Sequence, residues 1–187
     1  MPKITFAGHP LHPQLVELPA GLIPTSLIFD VAYLKTRDRK YVDAAYMTLL
    51  TGYIGAAGAA MAGAGDYFAI PTGSRTKRLA NVHLLLNIGL MAMTGLNLLR
   101  RRGKKRLDSM DIAMSAIGNA ALLVSTWYGG QMVYGRGLRV AGKSEISDAP
   151  EWALPGDEMI SDALSRLPDG IAPVEEREEA FVYSSGL

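Results

Sequence analysis

Four long blocks of this chain are almost wholly apolar, and two of them carry no charged residue at all. They run approximately over residues 15–34 (LVELPAGLIPTSLIFDVAYL), 42–64, 79–99 and 112–133. Each meets the length of about 20 mainly apolar residues that a helix needs to cross a bilayer core. A helix on the surface of a soluble protein shows a charged face at the helical period. The third and fourth blocks have no such face, and four helices of this kind cannot all be central in a soluble bundle. The pattern predicts an all-α fold, an integral membrane bundle of four transmembrane helices. The first block is read as a retained span rather than a signal peptide. It has no basic segment before it beyond Lys3, it carries Glu17, Pro19 and Pro24, and no small-residue cleavage pattern follows it.

Composition changes abruptly near residue 141. Residues 1–141 form the predicted transmembrane domain, and 142–187 a mostly irregular acidic C-terminal extension. From Lys143 onward eleven Asp and Glu stand against Lys143, Arg166 and Arg177, so the formal net charge of +1 sums a basic body and an acidic tail. Nothing in that balance points to nucleic acid. Within the tail, Met159, Ile160, Ala163, Leu164 and Leu167 fall at helical spacing, which predicts a short amphipathic helix over 157–167 with Asp157 as its cap. The EEREE run beyond it reads as solvated. There is no cysteine, so thiolate zinc sites, ordinary iron–sulfur ligation and covalent haem attachment are excluded.

The connectors set orientation. Ten Lys and Arg fall in the first and third connectors, with a dense RRRGKKR run at 100–106, against seven on the other side. The positive-inside rule places those two loops in the cytoplasm and both termini outside. In the second block Gly52, Ala56, Ala60 and Ala64, and also Gly55, Ala59 and Gly63, recur every four residues. Small residues at that spacing let membrane helices approach closely.

Polar residues at membrane depth need partners. In the third block Asn87, Thr94 and Asn97 lie within about 40° of His83 around the helix. Ser115, Asn119, Thr126 and Gly130 make a matching stripe on the fourth, and the two stripes are expected to face each other. Topology gathers His9 and His12 of the GHPLHP segment, Glu17, Asp66, His83, Gly129 and Gly130 at one end of the bundle, while Asp30 lies about 20 Å from Glu17 at the other. Neutral imidazoles backed by carboxylates suit a divalent metal ion, with His9, His12, Asp66 and His83 as candidate ligands. His12 and His83 alone could instead supply the axial ligands of a haem b. Both readings stand beside a third, in which the histidines only bond the ends of neighbouring helices. The prolines after His9 and His12 are expected to hold both in extended backbone and to delay the start of the first helix. No phosphate loop, serine-hydrolase elbow or HExxH motif is present, and no motif indicates an enzyme.

Four ordered motifs carry a family resemblance: GHPLHP at 8–13, GxGDYxxIP at 63–71, HxLLN at 83–87 and GGxxVYxxG at 129–137. With them the chain resembles a bacterial family of predicted four-helix membrane proteins, a domain of unknown function, over approximately residues 4–141. The resemblance implies a multi-pass protein of the bacterial inner membrane. It implies functional weight at His9, His12, Asp66, His83, Asn87, Gly129 and Gly130. Some members are associated with Rieske-type iron–sulfur domains, which implies a redox-linked or haem-linked role. The rival expectation is a non-catalytic subunit that binds, besides the lipid bilayer, a larger membrane complex or a second copy of itself.

Overall fold

The computed structural model describes residues 3–140, 143–144, 146 and 150–166. In chain order the elements are β1 (Lys3–Phe6), β2 (His9–Pro10), α1 (Leu11–Thr36), α2 (Arg39–Ala69), α3 (Arg75–Arg101), α4 (Ser109–Arg136), β3 (Glu151–Ala153) and α5 (Asp157–Ser165). The long helices form two antiparallel hairpins, α1–α2 and α3–α4, each packed more closely within itself than against the other. Three of them, α1, α2 and α3, are long and apolar enough to cross a membrane. The helix α4 has 28 residues but falls short of the same apolarity.

The helices outrun the apolar blocks because their ends are set by caps. Asp38 accepts from the Lys40 amide at the start of α2, and Ser74 from that of Lys77 at the start of α3. At α4, Asp108 and Asp111 form a reciprocal capping box. Arg37, in the left-handed region at φ 59°, turns α1 into α2 with one further residue between the helices. At its other end α1 begins earlier than the sequence suggests. His12 and Pro13 are already helical, because a proline in a first turn gives up an N–H that has no intrahelical partner. Only His9 keeps the extended backbone expected of both histidines. The helix then runs without a break through Pro19 and Pro24.

The core lies along the bundle axis, with Ile23, Leu49, Leu90, Leu98 and Leu122 at its centre. Large apolar side chains also cover the outside, including Ile28, Ile54, Met61, Leu85, Leu99 and Leu123. On α2, Gly52 and Gly55 let α1 in: a Cβ at Gly55 would lie 2.7 Å from the Cβ of Leu18.

A small sheet of order β2-β1-β3 corrects the purely helical expectation. Strands β1 and β2 are antiparallel across a two-residue turn, Ala7 and Gly8, both at positive φ as a tight hairpin turn demands. Strand β3 returns from the tail to pair with β1 in parallel, Ile4 opposite Trp152. The Gly8 amide donates to Asp157 Oδ1 at 3.2 Å, so Asp157 ties α5 to that turn. The EEREE run and Leu167 lie outside the described residues.

The capping box gives one pH prediction. Hydrogen bonds from Lys104 Nζ and from the Asp111 amide hold the Asp108 carboxyl well below the ordinary carboxylate value. A depressed folded-state pKa contributes stability above the unfolded value, about 3.9, that is lost as pH falls through the folded value. Helix α4 should therefore begin to lose this support below about pH 4 and fray from its first turn only as pH falls well below that. Asp108→Ala should already show that fraying at neutral pH, measured by amide exchange of residues 109–112.

Candidate functional site

Two histidines meet where the hairpins face each other. His12, in the first turn of α1, brings Nδ1 to 2.7 Å from the Ala59 carbonyl on α2. His83, two turns into α3, brings Nδ1 to 2.9 Å from the Ser125 carbonyl on α4 and 3.0 Å from that residue's hydroxyl. The rings lie 6.4 Å apart between centroids at 85°. A carbonyl oxygen can only accept, so Nδ1 carries the proton in both rings. In the neutral form each Nε2 then keeps a free lone pair. Asn87 donates through Nδ2 to Ser125 Oγ at 2.7 Å and to the His83 carbonyl at 2.8 Å, fixing the hydroxyl beside His83.

Two glycines make room for the rings. A Cβ at Gly63 would lie 2.7 Å from His12 Nδ1, and one at Gly129 would lie 3.4 Å from His83 Cε1. Gly130 does not share this role, since its Cβ would face Tyr134. Glu17 is exposed on α1, and His9 is exposed in β2, where its carbonyl accepts from Gln14 Nε2 at 3.4 Å. The buried Asp66 has a cationic partner, Arg139 Nε, at 3.6 Å. Among the described residues no group of three or more His, Asp or Glu is arranged to hold a metal ion. His9, His12, Asp66 and His83 thus do not close into one ligand set, and the convergent part is His12 with His83.

The opposite end holds a second polar centre. Asp30 and Arg101, 0% and 2% exposed, form a two-pronged ion pair at 2.8 and 2.7 Å. Arg101 also donates to Asn97 Oδ1, the Asp111 carbonyl and Ser115 Oγ. Asn97 donates to the same carbonyl and hydroxyl, each at 3.1 Å. Of the two expected polar stripes, only Asn97 and Ser115 meet, while Asn87 reaches Ser125, which lies off the expected α4 stripe. Asn119 and Thr126 instead bond carbonyls of their own helix. Sequence reasoning missed Arg101, which the RRRGKKR run placed in a solvated loop. The available signal was Asp30, an acid deep in a span that requires a cation. It also missed Ser125, whose role depends on a backbone carbonyl that no residue type announces.

Long helices with apolar side chains outward and polar groups paired inward define a helical membrane protein. Residues 8–142 match the family described as predicted membrane protein (DUF2231), and the chain belongs to that family. No curated protein and no solved structure matches it.

Proposed function

We propose that this chain is a four-span protein of the bacterial inner membrane that binds a haem b between His12 and His83 in a redox-linked role. The observation that carries the reading is the matched pair of imidazoles, each with Nδ1–H given to a backbone carbonyl. That bond fixes the ring and raises its basicity, the usual arrangement behind a metal-bound histidine. An imidazole nitrogen lies about 1.2 Å from the ring centre, and metal–nitrogen bonds are about 2.0–2.1 Å. Two rings on one metal therefore have centroids at most about 6.5 Å apart, when they stand on opposite sides of it. The centroid separation of 6.4 Å lies within that limit. Among the described residues a bare divalent ion would find only these two ligands, whereas a haem would bring four nitrogens of its own and ask two of the protein. The fourth span is supported by the length of α4 and by Ile117, Leu123, Val124 and Trp127 exposed along it. With four spans, the basic connectors place both termini on the non-cytoplasmic side.

The test is the reduced-minus-oxidised absorbance spectrum of detergent-purified full-length protein expressed with haem supplied. A Soret band at one haem per chain is the expected result, weakened and shifted in His83→Ala. Protein with neither haem nor stoichiometric metal sinks the reading. It would leave the histidines as interhelical struts in a subunit that docks on a larger complex.

A further inference from the structure

The buried positions of the two hairpins superpose in sequence. Adding 71 carries Pro19, Ile23, Ser26 and Asp30 of α1 onto Leu90, Thr94, Asn97 and Arg101 of α3, and all eight are buried. Those are four of the five buried residues of α1. Adding 66 carries Leu49, Gly52 and Ala59 of α2 onto Ser115, Gly118 and Ser125 of α4, again all buried. The same offsets carry His12 onto His83, its acceptor Ala59 onto Ser125, and Gly63 onto Gly129. One hydrogen bond of the first hairpin is thus reproduced in the second.

In an up-down-up-down bundle α1 and α3 run parallel, and equivalent residues meet only near a twofold axis along the bundle. His12 and His83 do so at one end, and Asp30 and Arg101 at the other, 18 residues or about 27 Å further along each helix. We infer that the chain is a duplicated hairpin whose pseudo-twofold axis passes through the histidine pair, and that the centre is consequently closed: each half gives one equivalent imidazole to the haem iron, which accepts no external ligand. This rests on the haem reading above. An asymmetric pocket would hold the iron from one side and leave the other open to a diatomic molecule or a substrate. Here each side carries the same side chain, with Nδ1 turned to a backbone carbonyl of its own hairpin.

Carbon monoxide added to the dithionite-reduced full-length protein is the test. The spectrum should not change, while His12→Ala and His83→Ala should each lose part of their haem and become sensitive to the gas in what remains. A haem-loaded parent protein that binds carbon monoxide overturns the closed centre and leaves the haem reading standing. A His12→Ala protein that keeps the parental spectrum overturns the closed centre and, with it, His12 as a ligand. A parent protein that carries no haem overturns both.

Discussion

Arg101→Met should lower the stability of the detergent-solubilised protein by about 3–5 kcal/mol, the cost of removing one partner from a buried ion pair. It strands Asp30, whose side chain has no exposure in the folded chain, and a lone carboxylate there must protonate or draw in water. It also removes the donor that reaches Asn97 Oδ1, the Asp111 carbonyl and Ser115 Oγ. The loss therefore spreads over α1, α3 and α4. Arg101→Lys keeps the charge but not the planar fork that meets both Asp30 oxygens, so it should recover only part of the stability. The double variant Asp30→Leu/Arg101→Met should recover most of it, because apolar pairs of similar volume often equal or exceed buried ion pairs. Thermal unfolding followed by circular dichroism gives the ranking. An Arg101→Met protein with an unchanged midpoint would show that the network contributes nothing.

What could be read beforehand divides along physical lines. Helix formation at membrane depth is dictated by apolar length, and the long helices lie over the apolar blocks. Their ends are not, because caps such as Asp108 and a first-turn proline such as Pro13 act through single backbone groups. The strands were not legible, since β1 and β3 are four and three residues long and meet from opposite ends of the chain. That His12 and His83 share one end followed from topology alone. Which atoms they engage did not, because the acceptors are carbonyls of Ala59 and Ser125, and any residue supplies a carbonyl. Arg101 shows the converse limit. A charge run usually marks a solvated loop, yet this arginine is the last residue of α3 and turns back into the core. The offset of 71 between Asp30 and Arg101 is equally invisible to residue comparison. Duplicated positions hold Asp against Arg, or Leu49 against Ser115, and only burial shows that they correspond.

Gly63→Ala should dislodge His12, whereas Gly129→Ala, its equivalent in the second hairpin, should be tolerated. A Cβ at Gly63 would come within 2.7 Å of Nδ1 and 2.9 Å of Cε1, so the imidazole rests directly on the α2 backbone. The ring cannot slide along α2 without giving up its 2.7 Å bond to the Ala59 carbonyl one turn earlier. At Gly129 the nearest ring atom is 3.4 Å away, the edge of ordinary contact. Both substitutions gain about 1 kcal/mol of helix propensity over glycine. At Gly63 an overpacking cost of about 1–3 kcal/mol opposes that gain, and at Gly129 little does. Gly129→Ala should therefore melt at or above the parental temperature. Gly63→Ala should melt below it and, under the haem proposal, lose Soret absorbance, because His12 no longer points where the bond to Ala59 held it. Parallel melts and spectra of the two proteins decide the matter. If Gly63→Ala keeps both the parental midpoint and the parental spectrum, His12 is not held by the close packing described, and the pairing of the two imidazoles loses its geometric basis.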